Sequence, residues 1–138
     1  MYKSVLTGTD GSETAQAAVE AALELAERFG SVVHVVNVVR PLPAGAEVTV
    51  VYPAGLEDAA AVLAEEVAGR AAERGLEAHT CVLMGDPVER ITAYAQEHGI
   101  ELIVVGSKGM RGLRRLLGSI PNGIAHKASC AVHIVKTT

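Results

Sequence analysis

Short runs of β-branched and apolar residues alternate along this chain with stretches of helical periodicity. The runs read KSVLTG, SVVHVVNVV, LEAHTCVLMG, IELIVVG and CAVHIVK, and a helix-like segment stands between each run and the next. Strands that alternate with helices form a parallel sheet covered on both faces. The sequence therefore predicts one α/β domain over residues 1–138, with a Rossmann-like open sheet of five parallel strands. Residues 40–53, which contain three prolines and a glycine, predict a loop.

Capping residues mark the ends of the predicted helices. Asp10 and Glu13 have the spacing of a capping box, and Ser12 is a second candidate cap for the same helix. Asp86 precedes Pro87, an order typical of an N-cap followed by the first helical position. Both predicted helix starts follow a strand directly, so their first turns lie where the carboxyl ends of parallel strands meet.

Charge is distributed unevenly along the chain. The formal net charge is −4, yet residues 106–138 contain six Lys and Arg and no acid, so the remainder carries −10. A net negative chain with 3% aromatic residues is not typical of a protein that binds nucleic acid or an anionic membrane. The sequence opens with no signal peptide and contains no apolar stretch of transmembrane length, so we expect a cytoplasmic protein.

The positive region begins with a glycine-rich segment, GSKGMRGLRRLLGS, at residues 106–119. Phosphate binding needs backbone N–H groups that converge, and glycines together with a helix N-terminus can supply them. Gly106 and Gly109 can form the turn after the fourth strand, while Gly118 and Ser119 stand at the start of the last helix. The segment matches neither a Walker A loop nor G-x-G-x-x-G. Its spacing alone therefore leaves two alternatives open, a phosphate clamp and a glycine-rich connection with solvated arginines.

The chain resembles the universal stress protein family over nearly its whole length. The stretches that carry the resemblance are TGTDGSETA, VVHVVNVV, GDPVERITAYAQEHGIELIVVGSKG and LLGSIPNGIAHKASCAVHIVK. The resemblance implies a strand order of 3-2-1-4-5 and a homodimer formed through the fifth strand. It also implies ATP binding in one branch of the family, through the pattern G-x2-G-x9-G-[ST].

The resemblance also implies which residues bind the nucleotide. Asp10 matches the residue that contacts the ribose, and Val35 matches the one that lines the adenine pocket. The full set of implied binding residues is Gly8, Thr9, Asp10, Val35, Gly106, Ser107, Gly109, Met110, Arg111, Gly118, Ser119 and Ile120. Eight residues, not nine, separate Gly109 from Gly118. Because the three motif glycines and the serine are all present, the expected ligand is ATP, with or without Mg²⁺. The shorter segment favours a smaller phosphate ligand, so AMP and cyclic AMP stay open as alternatives.

The remaining polar residues predict little further chemistry. None of the five histidines has metal-ligand spacing with a second His or Cys, and Cys81 and Cys130 are expected to be buried and unpaired. Asp10 is the only acid near the predicted crevice, so we expect no dedicated ATPase and at most slow hydrolysis. The leading hypothesis is a nucleotide-dependent stress-response sensor. The alternative is a dimeric interaction module that binds no ATP.

Overall fold

The computed structural model describes residues 1–43, 50–52, 54–107 and 120–136. Its elements follow in the order β1 (Ser4–Gly8), α1 (Glu13–Phe29), β2 (Val32–Val39), β3 (Leu42–Pro43), β4 (Val50–Val51), α2 (Leu56–Glu73), β5 (Ala78–Met84), α3 (Pro87–Glu97), β6 (Leu102–Gly106), α4 (Ile120–Lys127) and β7 (Ala131–Val135). No helix in the described ranges is both long and apolar enough to cross a membrane. The order of these elements confirms the predicted alternation of strands and helices.

The five longer strands form one parallel sheet in the order β5-β2-β1-β6-β7. Without the two-residue strands β3 and β4, this is the order 3-2-1-4-5, so the expected topology is confirmed. The chain builds outward from β1 through β2 to β5, then returns to place β6 on the other side of β1. Connections that run in opposite directions from two neighbouring strands leave a crevice at the carboxyl ends of those strands.

Two apolar layers cover the two faces of this sheet. One layer joins α1 and α2 to the sheet and includes Leu23 and Val67, while the other joins α3 and α4 to the opposite face and includes Ile124. Alternate residues of β2 serve the two layers, since Val35 belongs to the first and Val36 to the second. Each large aliphatic side chain that is fully buried in this way contributes about 1.5–3 kcal/mol.

The start of α1 differs from the predicted capping box. Ser12 is the N-cap, and its hydroxyl accepts a hydrogen bond from the backbone N–H of Ala15 at 3.2 Å. Asp10 instead accepts from the N–H of Ser12 at 2.9 Å, so the predicted pairing of Asp10 with Glu13 is wrong. The chain makes an extra turn at Gly11, where φ is 82°, and this moves the cap two residues on. The predicted cap and first position of α3 are confirmed.

The segment predicted as a loop contains two short strands. β3 pairs with β4 in an antiparallel ribbon, so the loop prediction is wrong for those four residues. A two-residue strand is too short to show a periodicity of two, and proline is tolerated at a strand edge.

Candidate functional site

A crevice opens between the carboxyl ends of β1 and β6. Its described lining comes from the β1 and β6 ends, the first turns of α1, one residue of α3 and the start of α4. It consists of Gly8, Thr9, Asp10, Thr14, Ala15, Ala18, Ile91, Val105, Gly106, Ile120 and Pro121. The space that these described residues enclose is about 50 Å³, and the crevice opens to solvent beyond it. The structure thus brings the expected residues Gly8, Thr9, Asp10, Gly106 and Ile120 together, whereas the expected Ser107 is not part of this lining.

The turn after β1 is held by hydrogen bonds on both sides. Thr9 is buried, and its N–H donates to the carbonyl of Val36 at 2.9 Å, which ties the turn to β2. The Thr9 hydroxyl accepts from the N–H of Gly11 at 3.2 Å, and the Asp10 carboxylate accepts from Ser12. These contacts hold the half-buried Asp10 side chain in the lining of the crevice.

The turn after β6 is held by the neighbouring edge strand. The N–H of Ser107 donates to the carbonyl of Val135 in β7 at 2.7 Å, and Gly106 lies directly opposite Val135 in the sheet. Ile120 and Pro121, the first residues of α4, lie in the crevice lining, so the positive end of the α4 dipole borders the same space. A helix start with no acidic residue in its first turn favours an anionic ligand group.

Gly123 explains how α4 approaches so closely. A Cβ built at this position would lie 2.9 Å from Cγ2 of Val88, closer than real Cβ contacts allow. The absence of a side chain lets α4 pack directly on α3, and this packing sets where the N-terminus of α4 lies. The sequence gives no local signal for this packing role. Glycine usually marks a turn, and Gly123 lies inside a helix instead.

Five of the expected binding residues fall in the segment 108–119, which lies outside the described residues. They are Gly109, Met110, Arg111, Gly118 and Ser119. Their role in a phosphate clamp stays a prediction.

Val35 does not line the crevice. Its side chain is fully buried in the layer between the sheet, α1 and α2, and it lies opposite Thr7 in the parallel register. Three residues later, Val38 lines a second recess that also includes Asp10. Side chains alternate along a strand, so Val38, three residues after Val35, points to the opposite face of the sheet and lies nearer the end of β2.

This second recess lies beside the crevice, between the end of β2 and the first turns of α2. Its lining consists of Asp10, Asn37, Val38, Val39, Arg40, Leu56, Ala59, Ala60 and Leu63. Asn37 is buried and donates from Nδ2 to the carbonyl of Ala60 at 3.3 Å, which holds α2 against β2. Sequence reasoning missed this recess. The signal that could have revealed it is the position of Arg40, which directly follows β2, a neighbour of β1 in the sheet.

The described side chains offer little for a metal ion. Asp10 is the one acidic residue among the described residues that line the crevice and the recess. No three His, Cys, Asp or Glu side chains in the described ranges form a group that could hold a metal. Protein-bound Mg²⁺ commonly uses one or two carboxylates and completes its shell with phosphate oxygens and water. Asp10 could supply one such ligand, and the rest of the shell would come from the bound molecule.

The fold and the site define a class: an open parallel α/β protein with a small-molecule crevice at the point where its strand order reverses. The model of the Universal stress protein family matches residues 1–136. The chain belongs to this family.

Curated relatives match along nearly the full chain. The universal stress protein YxiE of Bacillus subtilis is 30% identical over 148 residues, which cover 99% of this chain and all of the relative. The universal stress protein MJ0531 of Methanocaldococcus jannaschii is 32% identical over 142 residues, covering 99% of this chain and 83% of the relative.

Solved structures agree with the fold. A universal stress protein in complex with cAMP superposes with a TM-score of 0.76 at 27% identity, covering 99% of both chains. A universal stress protein from Archaeoglobus fulgidus in complex with dAMP has a TM-score of 0.70 at 23% identity and covers 98% of both chains. The second similarity shows the shared fold.

Proposed function

We propose that this protein binds an adenine nucleotide, ATP in the first place, and acts as a cytoplasmic, nucleotide-dependent regulator of the stress response. One observation carries the proposal: the Asp10 carboxylate and the N-terminus of α4 line the same crevice at the β1/β6 switch point. The similar structure with bound cAMP, from another member of the family, supports an adenine nucleotide as the ligand class.

The proposed pose follows from the chemistry along the site. Phosphates lie near Gly106 and Ile120, where helix N–H groups and the basic glycine segment favour anions. The ribose lies at Asp10, whose carboxylate accepts hydrogen bonds from hydroxyl groups. The base then extends toward β2 and enters the apolar recess beside Val38. In this pose Val38 replaces Val35 as the residue of β2 that contacts the base.

The proposal includes no dedicated ATP hydrolysis. Phosphoryl transfer to water needs a positioned water molecule and usually Mg²⁺ held by carboxylates. Asp10 is the one carboxylate among the described lining residues, and in the proposed pose it is occupied by the ribose. Binding, followed by a change in partner contacts, is therefore the proposed activity.

The assembly proposed for this regulator is a homodimer formed through β7. This strand pairs with β6 on one side, and most of its side chains are exposed, including Ile134. An unpaired strand edge offers backbone N–H and carbonyl groups to a second strand. If two copies join at β7, the β7 strand of each copy pairs with that of the other.

Calorimetric titration of the nucleotide-free protein with ATP, AMP and cyclic AMP tests the ligand. We expect ATP to bind, and Asp10→Asn to weaken it roughly tenfold through loss of a charge-assisted hydrogen bond. Asparagine keeps an oxygen that can accept from Ser12, so the turn is preserved. The matched control is Asp86→Asn, because asparagine caps a helix about as well as aspartate.

Comparison with 2′,3′-dideoxy-ATP makes the test specific to the ribose. The wild type should prefer ATP, and Asp10→Asn should lose that preference. If only cyclic AMP binds, the proposed ligand is cyclic AMP in place of ATP, an alternative that the short glycine segment favours. If none of the three nucleotides binds, the chain is instead an interaction module that does not use nucleotides.

A further inference from the structure

We propose that Arg40 is a specificity-determining residue whose guanidinium donates a hydrogen bond to an acceptor nitrogen of the purine base. This inference rests on the proposed function, because it assigns a contact to the base in the recess beside the crevice. It adds a charged donor to a subsite whose other side chains are mostly apolar.

The observation that carries this inference is an unpaired donor. Nη1 of Arg40 is inaccessible to solvent and has no hydrogen-bond partner among the described residues. Buried polar groups are nearly always hydrogen-bonded, and a buried charged donor without a partner is costly. The Arg40 side chain as a whole is half-buried and lines the recess, so a turn about its own bonds would present this donor to a ligand acceptor there and remove the cost.

The neighbours of Arg40 do not supply that acceptor. Asn37 uses its amide nitrogen to donate to the carbonyl of Ala60 in α2. Nη1 of Arg40 finds no acceptor among the described groups around it. Val38, Leu56 and Leu63 are among the apolar side chains of the recess. Asp10 also lines the recess, and its carboxylate already accepts a hydrogen bond from the N–H of Ser12.

The order of the strands makes the base the natural partner. Arg40 follows β2, Asp10 follows β1 and the glycine segment follows β6, and these three strands are consecutive in the sheet. Adjacent strands lie about 4.8 Å apart, so the end of β2 is about 10 Å from the end of β6. A nucleotide with its phosphates at the β6 end and its ribose at Asp10 would place its base beside Arg40.

Titration of adenosine, AMP and ATP into the wild type and Arg40→Met tests the contact. We expect the substitution to weaken all three by the same factor, about tenfold to a hundredfold, because all three share the base. The control Arg28→Met removes the same charge from an exposed position at the end of α1 and should change none of them. A loss that grows with the number of phosphates would place Arg40 against the phosphates and overturn the inference.

Deaza analogues identify the acceptor. Among 1-deaza-, 3-deaza- and 7-deaza-adenosine, one should bind the wild type more weakly than adenosine does, and Arg40→Met should erase that difference. Equal discrimination in both proteins would overturn the contact. The thermal midpoint of the free Arg40→Met protein should be unchanged or higher, since an unpaired donor is removed, whereas a structural role for Arg40 predicts a lower midpoint.

The outcomes separate the two proposals. If the wild type binds none of the three ligands, both the proposed function and the role of Arg40 fail. If the wild type binds them and Arg40→Met binds equally well, nucleotide binding stands and only the role of Arg40 is wrong.

Discussion

Two glycines inside helices show how much one methyl group matters at the residue scale. Gly123 in α4 faces Val88 of α3, and a Cβ there would come within 2.9 Å of a methyl carbon. A Cβ at Gly69 in α2 would have no heavy atom within 4 Å outside the backbone of its own helix. The two positions share a backbone conformation that alanine can adopt, so the local packing alone decides the sign of a glycine-to-alanine change.

We therefore expect Gly123→Ala to lower the free energy of unfolding by about 1–3 kcal/mol, the usual cost of overpacking. Gly69→Ala should raise it by about 0.5–1 kcal/mol, because alanine is the better helix former. Urea unfolding followed by circular dichroism measures both. Stabilisation by Gly123→Ala would contradict the close packing of α4 on α3. Gly123→Ala should also weaken nucleotide binding, since the N-terminus of α4 lines the crevice.

At the scale of the elements, the sequence predicted the sheet well because strands and helices carry different periodicities. The five longer strands and the start of α3 agree with the pattern. The ribbon of β3 and β4 was missed because two residues show no period. Asp10 and Ser12 were both candidate caps for α1, and Ser12 is confirmed; only the backbone turn at Gly11 decides between them.

The site was predictable where it depends on strand ends and unpredictable where it depends on packing. Gly8, Asp10 and Gly106 follow from their positions after strands that neighbour each other. Val35 was assigned through the family resemblance alone. The run VVHVVNVV could not correct that assignment, because it is apolar on both faces and its alternation does not reveal which side chains point to which layer. The recess around Arg40 depends on how α2 packs against β2, which no local pattern encodes.

A histidine cluster joins three elements on the α3 side of the sheet. Nδ1 of His34 in β2 lies 2.8 Å from the hydroxyl of Tyr94 in α3, and the Tyr94 ring stacks on His98 with centroids 3.8 Å apart. The ring of His79 in β5 lies 5.3 Å from that of His34, and Glu77 contacts His79 from the same strand end. Protonation of His34 therefore places a charge close to the imidazoles of His79 and His98.

This cluster predicts that stability decreases on mild acidification. Burial, then the neighbouring charges of His79 and His98, lower the pKa of His34 below its ordinary 6.5, with Glu77 opposing the shift. The folded protein therefore binds fewer protons than the unfolded chain below pH 6.5. Stability is fully present above that pH and is lost as pH falls toward the lower pKa of the folded state.

Urea unfolding between pH 5 and pH 7.5 measures this loss, and NMR titration of the imidazoles assigns it. His34→Gln should flatten the pH dependence, by at most about 1.4 kcal/mol for each pH unit. The control His126→Gln changes an exposed histidine of α4 outside the cluster and should leave the slope intact. An unchanged slope in His34→Gln would show that other groups dominate the acid response.

For the whole molecule, the sheet connects the proposed ligand site to the proposed dimer edge. β6 ends at the crevice, β7 lies beside it, and the hydrogen bond from Ser107 to Val135 joins the turn to the edge strand. A ligand that orders the turn after β6 would therefore act on a segment directly bonded to β7. This contiguity offers a physical route by which nucleotide binding could alter assembly or partner contacts.

The dimer proposal predicts that a charge on β7 separates the two copies. Ile134 is 39% exposed on this edge, and lysine there is a natural means of blocking strand pairing. Ile134→Lys should convert the dimer to a monomer in sedimentation equilibrium. Val62→Lys introduces the same charge at an apolar α2 position that is 60% exposed, and it should stay dimeric. Dissociation of both variants, or of neither, would contradict pairing through β7. An interface at that strand contains position 134 but not position 62, so only the first variant should dissociate.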